Sequence, residues 1–339
     1  MKVHSPLPSE VAPKISVVIT AYNRREFVKD ALKSVLNQKL DRQDYEVILV
    51  KNFADESIDN FANSNGVKLV FSDETNLGRM CLRGLNNSSG EIVSLLDDDD
   101  VFHPYKLSIV LEAMSDQAVC FMHNRSTAFS TTIHVTDSNY AVRERQRKLR
   151  LGEIRTLALL CAVKEGGTSN SSSVTFRKGI IDGYEKVLEE TAWGPAFTLF
   201  CLALLSGGVV LLDERRLTFQ RIHDSLSNYA GDAGKRSAVK VRSFSRSVDT
   251  LKVLSSLCDN TVLRSLLRYE EAEALLRLSL YADGVTRINR KEKYASVLSL
   301  FSVPIQYRLA FRIALALCSL VWELLPGSAR LWIIGSALF

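Results

Sequence analysis

The sequence predicts an α/β fold, a mostly parallel sheet with helices on both faces, followed by a C-terminal helical region. Three observations carry that expectation. Short β-branched runs alternate with stretches of helical spacing from Ile15 to Met122, the pattern of a covered parallel sheet. The apolar run Ile92–Leu96 leads directly into Asp97-Asp98-Asp99-Asp100. Beyond Gly231-Asp232-Ala233-Gly234, read as a linker, the pattern is helical alone.

The elements follow in order. Ile15–Thr20 is a buried strand, and Ala21-Tyr22-Asn23-Arg24 turns the chain into a helix over Glu26–Gln38. Tyr45–Val50 is a second strand, Ser57–Ala62 a helix and Val67–Phe71 a third strand. Leu77–Leu85 is helical and Glu91–Leu96 is the fourth strand. Pro104 stands at the first turn of a helix over Tyr105–Met114, where its missing N–H costs nothing. Ala118–Met122 is a fifth strand. Residues 124–173 read as polar loop, with the basic stretch Arg143–Arg150 as a solvated helix face. Ser173–Phe176 and Gly208–Leu212 are further strands flanking an apolar helix, Phe197–Leu205. Val239–Leu280 repeats apolar residues at three- and four-residue steps.

Bulk properties narrow the function. At 339 residues and 46% hydrophobic, the chain can bury a large core. A net charge of +5 suits anionic small molecules or a membrane surface, and no nucleic-acid-binding signature accompanies it. The six cysteines are scattered without a CxxC pair, so they read as buried hydrophobes in a reducing compartment. Residues 1–13 read as a flexible lead-in without a signal-peptide core, which places the protein in the cytosol or on its membrane face.

The tail differs in kind. Arg287, Arg290, Lys291 and Lys293 precede an apolar stretch from Val303 to Leu325. Its uncharged part, Ile313–Trp322, would extend only ~15 Å as a helix, about half a hydrocarbon core. Arg308, Arg312, Ser319 and Glu323 share a narrow polar stripe on the helical wheel. The expectation is an interfacial amphipathic helix with a basic collar. A re-entrant or short-hairpin insertion, and ordinary packing on the first domain or in a homodimer, are the alternatives.

The chemistry points to the Asp run. Four adjacent carboxylates repel, and a fold that gathers them at a strand end usually supplies a cation. Oxygen-only ligands suit Mg²⁺ or Mn²⁺, held by one or two carboxylates together with substrate phosphates. Open α/β sheets bind their ligands at such strand ends.

Ile15-Ser16-Val17-Val18-Ile19-Thr20-Ala21-Tyr22-Asn23-Arg24, then Asn76-Leu77-Gly78, Arg83, Gly90-Glu91-Ile92-Val93 with the Asp run, and Arg221-Ile222-His223-Asp224-Ser225-Leu226-Ser227, stand in a specific order. Together they resemble glycosyltransferase family 2, whose catalytic domain has the GT-A fold, over residues 14–227. The resemblance implies a catalytic domain over 14–230, and the pattern of the tail adds a helical, membrane-associating region over 235–339. The resemblance also implies transfer of a sugar from a nucleotide-diphosphate sugar to an acceptor, with inversion; the tail alone points to a lipid-linked acceptor, polyprenyl phosphate or glycan, at the cytoplasmic membrane face. The resemblance assigns the metal, Mn²⁺ or Mg²⁺, to Asp97 and Asp99 with His223, the other register being Asp98 and Asp100. Asp98 and Arg83 would contact the donor, and Ala21, Tyr22 and Asn23 would border the nucleoside.

Two departures stand out. After the second strand the family commonly places acids on the nucleoside, whereas this chain has Lys51 and Asn52, with Asp55 a turn later. Asn52 can still bond a base edge, and Lys51 would meet phosphate or a surface acid. The acidic pair that usually precedes the helix at Phe197 is missing, which leaves Glu190, then Glu189, as the base, with Trp193 as an acceptor platform. The rival readings are a glycosyltransferase-like scaffold without activity and a sugar nucleotidyltransferase. The latter lacks its Gly-rich loop after the first strand.

Overall fold

In the computed structural model, residues 12–130, 146–191, 194–222, 233–281, 290–304 and 308–321 are described. Four parallel strands form one half of the sheet: β1 (Ile15–Ala21), β2 (Tyr45–Lys51), β3 (Lys68–Phe71) and β4 (Ile92–Asp97), in the order β3-β2-β1-β4. Helices α1 (Val28–Leu36), α2 (Glu56–Ser64) and α3 (Leu77–Asn86) make the crossovers. The mixed half adds β5 (Val101–Phe102), β6 (Val119–Phe129), β7 (Gln146–Leu149), β8 (Val174–Arg177) and β9 (Val209–Arg221). Its order from β4 is β8-β6-β9-β5, with β7 on β9. Helices α4 (Lys106–Ala113), α5 (Thr156–Ala162), α6 (Glu185–Glu190) and α7 (Pro195–Leu205) complete this part.

The strands form because both sheet faces are covered. Val18, Ile48, Val50, Val93 and Leu95 enter one core, while Ile15, Val17, Ile19, Val47, Leu49 and Leu96 enter the other. Alternate residues of one strand therefore serve two cores, as a parallel sheet between helices requires. Register then fixes the functional edge: Thr20 lies opposite Asp97, and Ala21 opposite Lys51. The ends of β1, β2 and β4 thus open on one rim.

Helix α3 is held close to that rim. Asn76 caps it, its Oδ1 accepting from the N–H groups of Gly78 at 2.7 Å and Arg79 at 3.2 Å. Gly78 lets α3 approach α6, since a Cβ there would lie 1.9 Å from the Leu188 carbonyl oxygen. Gly84 does the same against β1, where a Cβ would meet Val18 Cγ1 at 2.2 Å.

Three expectations need correction. Within the basic stretch 143–150, residues 146–149 form β7 and not a helix face, pairing antiparallel with β9. Charged residues suit such an edge strand because they discourage further pairing. The strand expected at 208–212 continues to Arg221, and the pattern over 239–280 splits into α8 (Ala233–Leu257) and α9 (Thr261–Tyr281). Asn260 breaks it, its Oδ1 accepting from the N–H groups of Val262 at 2.9 Å and Leu263 at 3.1 Å.

Helices α10 (Arg290–Leu300) and α11 (Leu309–Val321) pack on α9. Arg312 and Ser319 are fully buried, so this part of the polar stripe faces the protein. Arg312 Nη1 donates to the carbonyls of Leu300 at 3.0 Å and Val303 at 3.3 Å, satisfying the end of α10. The outward face carries Ile313, Leu317 and Leu320, with Tyr294, Leu298 and Phe301 exposed on the neighbouring segment. Glu323 and Arg287 lie outside the described residues. Among the described residues, no helix is long and apolar enough to cross a membrane.

Candidate active site

The rim where β1, β2 and β4 end gathers most of the residues the sequence singles out. Asn23 adopts a left-handed backbone, φ 57°, which turns the chain after Ala21 and Tyr22. Its N–H donates to Asn52 Oδ1 at 2.7 Å, and Asn52 Nδ2 donates to Asn23 Oδ1 at 2.8 Å. Ala21, Tyr22, Asn23 and Asn52 are therefore one structural unit beside the Asp run. Lys51 is turned away: its Nζ reaches Asp59 at 2.7 Å and the Phe53 carbonyl at 2.6 Å. Asp55 accepts from Ile58 N–H at 3.0 Å as the cap of α2 and faces Arg25 at 3.8 Å.

The Asp run itself is a turn, closed by the Asp100 N–H donating to the Asp97 carbonyl at 3.2 Å. Asp98 and Asp100 are buried, whereas Asp97 and Asp99 keep partly accessible edges. The buried pair is spoken for. Asp98 accepts from Arg24, and Asp100 Oδ1 accepts from the Arg221 N–H at 3.0 Å. Enclosure, then the charges of Asp100, Asp99 and Asp98, hold the Asp97 carboxyl well above the usual range despite Arg24. Burial and Asp99 push Asp100 up to about 6, against the pull of Ser172, the Arg221 N–H and Asn170. Negative charge in this turn is therefore incompletely compensated.

Support comes from segments distant in sequence. Ser172 Oγ accepts from the Asp97 N–H at 3.0 Å, and the Ser172 carbonyl accepts from Lys106 and from Thr218 Oγ1 at 3.0 Å. Lys106 is fully buried, 3.8 Å above the Phe102 ring, and burial pulls its pKa well below the lysine range while Asp100 opposes this. Arg221 donates from Nε to the Asp99 carbonyl at 3.1 Å and pairs with Asp30 at 3.0 Å. Its guanidinium lies between the Phe27 and Phe129 rings, at 4.2 and 4.6 Å. Arg24, Lys106, Ser172 and Arg221 are the residues the sequence reading gave no role. Lys106 did leave a signal, since it falls on the buried face of its helix with Ile109 and Val110.

Arg83 and Glu189 lie elsewhere. Arg83 is exposed and lines a groove of about 400 Å³ with Glu74, Arg79, Leu82, Asn86 and Glu189. Glu190 is exposed on α6 beside it. The small pocket beside Asp97 is lined instead by Val18, Thr20, Leu77, Cys81, Leu95, Ser171 and Pro195. Leu77 opens the helix that carries Arg83, so α3 links the two sites. Burial, then Asp97, push the Cys81 thiol up to about 12, which makes it an inert packing group. His223 and Trp193 lie outside the described residues, although Arg221, two positions before His223, is bonded to the Asp run.

One residue class bears on a divalent ion. The carboxylates of Asp97 and Asp99 are oxygen donors in a turn short of positive charge, which fits Mg²⁺ or Mn²⁺. Among the described residues no three His, Cys, Asp or Glu side chains form a ready-made cage. Mg²⁺ sites of this sort are completed by substrate phosphates and water.

An α/β sheet with an acidic turn at the rim of its parallel half and a helical C-terminal part is the architecture of the GT-A glycosyltransferases. Its likeness to known structures is at the level of fold. TarS 1-349 from S. aureus, in complex with UDP-GlcNAc, matches with a TM-score of 0.53 at 12% identity, over 92% of each chain. Mannosyltransferase PcManGT from Pyrobaculum calidifontis, in complex with GDP-Man and Mn²⁺, matches with a TM-score of 0.53 at 13% identity, over 92% of this chain and 88% of that one. Residues 16–164 match the family model Glycosyl transferase family 2. An uncharacterized glycosyltransferase of Rickettsia bellii is 31% identical over 32% of this chain and 16% of its own length. The GalNAc(5)-diNAcBac-PP-undecaprenol beta-1,3-glucosyltransferase of Campylobacter jejuni is 30% identical over 31% of this chain and 35% of its own. The chain thus spans only a minor part of these two curated relatives.

Proposed function

We propose that this protein is a metal-dependent, inverting glycosyltransferase that moves a hexose from a nucleotide-diphosphate sugar to a lipid-linked acceptor. The observation that carries the reading is the turn of Asp97 and Asp99, partly open and under-compensated, where β1, β2 and β4 end. Asp97 and Asp99 would hold Mn²⁺ or Mg²⁺, since they keep accessible edges while Asp98 and Asp100 are buried, although Arg24 also lies 2.8 Å from Asp99. When bound, the ion supplies positive charge to the departing nucleoside diphosphate. Tyr22 and the Asn23–Asn52 pair border the nucleoside. His223 follows the Arg221 clamp and completes the ligand set. Glu189, in the groove with Arg83, and Glu190, exposed on α6, line a face apart from the Asp run, so neither is given the acceptor's proton.

The neighbours with UDP-GlcNAc and with GDP-Man and Mn²⁺ support the donor class. A thermal-shift screen of UDP-, GDP- and dTDP-sugars with and without Mn²⁺ tests it, because a ligand of the native state alone raises the melting point. One sugar nucleotide should shift it in a Mn²⁺-dependent way, and Asp99→Asn should remove the Mn²⁺ dependence. No shift with any of them would sink the reading. A shift without turnover toward any acceptor would leave the glycosyltransferase-like scaffold.

The outward apolar face of α11, with exposed Lys291 nearby, supports a peripheral place on the cytoplasmic membrane face. The Campylobacter relative, named for a PP-undecaprenol substrate, supports the acceptor class. Flotation with anionic vesicles should recover the protein, and Ile313→Ser with Leu317→Ser should abolish recovery while folding stability stays within about 0.5 kcal/mol. Recovery unchanged by the double variant, or a dimer that vanishes with it, rejects the membrane assignment.

A further inference from the structure

The strand β1 leads through the left-handed Asn23 to Arg24, whose guanidinium lies across the acidic turn. Arg24 Nε donates to Asp98 Oδ1 at 3.2 Å, and Nη2 reaches both Asp98 and, at 2.8 Å, Asp99 Oδ2. The Arg24 side chain is 29% exposed, against 5% for Asp98 and 14% for Asp99, so it covers the carboxylates from the solvent side. A guanidinium offers donors only, in a fixed fork that suits carboxylates and phosphates alike. It therefore uses the same carboxylate lone pairs that a divalent ion needs.

We propose that Arg24 is a built-in counter-cation of the empty site, which yields Asp99 to the divalent ion and moves to the donor's diphosphate. The inference rests on the donor reading above and deepens it by making metal and nucleotide binding interdependent. A free ion has to displace Arg24 from Asp99 and leave it, held by Asp98, beside a second cation. An ion arriving with a nucleoside diphosphate brings the anion that Arg24 then meets. Metal alone binds weakly, metal with nucleotide binds cooperatively, and the coupling is reciprocal.

Calorimetry on the full chain tests this, with Mn²⁺ alone and Mn²⁺ with UDP or with GDP. Arg24→Gln should bind Mn²⁺ alone about tenfold tighter and lose about tenfold of the metal–nucleotide coupling, as expected when one adjacent charge is removed. Arg24→Lys keeps the charge without the fork and should fall between Arg24→Gln and the unaltered protein, which guards against misfolding of the first variant. Arg25→Gln is the charge control, because Arg25 stacks on Phe53 at 4.5 Å and lies 3.8 Å from Asp55. It should bind Mn²⁺ as the unaltered protein does. If Mn²⁺ promotes nucleotide binding but Arg24→Gln leaves the metal-alone affinity unchanged or weaker, the inference fails and the donor reading stands. Equal tightening in Arg25→Gln overturns it too, by reducing the effect to bulk charge. No uptake of Mn²⁺ or nucleotide by any of the proteins overturns both.

Discussion

Two buried charge clusters lie in this chain, and they are built to opposite rules. At the strand rim, four carboxylates share a turn, and its Asp97 is held far above the usual carboxylate range. At the junction with the helical region, Lys164 pairs with Glu270 at 2.9 Å and with Glu273 at 3.4 Å. Glu273 also meets Arg277 at 2.9 Å and Arg308 at 3.7 Å. Burial pushes the Glu273 carboxyl up, yet Lys164, Arg277, Tyr269 and Arg308 together hold it below its ordinary value. Glu273 is matched by cations and holds structure, whereas burial keeps its neighbour Glu270 above the ordinary value despite Lys164. A cluster left short of positive charge is a place for a ligand that brings it. The segment from Lys164 to Ser172 joins the two clusters, tied to α9 at one end and to the Asp97 N–H at the other.

The comparison can be broken most sharply at Asp97. Asp97→Asn removes a ligand and relieves the crowding, so turnover should fall about 10²–10³-fold. The melting temperature should hold or rise, since the neutral amide no longer repels Asp98, Asp99 and Asp100. A large fall in melting temperature with turnover intact would reverse the roles of the two clusters.

Glu273→Gln should do the converse. Removing one partner of a buried charge group costs about 3 kcal/mol, read as a lower urea midpoint. Turnover per folded molecule should stay near that of the unaltered chain. An undiminished midpoint would show that the junction cluster holds nothing together.

The smallest effect sharpens the joining segment. His123 Nε2–H donates to the Ser169 carbonyl at 3.0 Å, which places the proton of the neutral ring on Nε2. Burial lowers its pKa to about 4, outweighing the Ser169 bond, with Lys106 and Arg125 adding to the fall. Between about 6.5 and 4 the unfolded chain binds this proton and the folded chain does not. His123 therefore favours folding fully above that window, and its contribution is lost as pH falls through it. From pH 7 to 4.5 it should amount to roughly 2 kcal/mol, seen as a steeper loss of urea midpoint than in His123→Gln. Equal slopes would show that His123 is protonated in the fold.

Much of this was legible in the chain. The strands from Ile15 to Leu96, their parallel order and the rim placement of Asp97 follow from β-branched runs alternating with helical spacing. Residues 146–149 were not legible as a strand, because a basic run suits an edge strand and a solvated helix equally. Arg83 and Glu189 were read as parts of one site with the Asp run, yet they share a groove on the outer side of α3. Motif order carries no information about which helix face a residue takes.

By itself, the sequence determined the α/β half, the helical C-terminal region and the presence of an acidic turn, because each is a local pattern of period or charge. Tertiary structure decided which cations meet the acids. Arg24, Lys106 and Ser172 reach the turn from three separate segments. It also decided that Arg312 and Ser319 face inward and leave Ile313 and Leu317 to the outside. A helical wheel shows that two faces differ. Which of them is covered depends on an unpaired carbonyl end, here that of α10, placed by packing rather than by spacing.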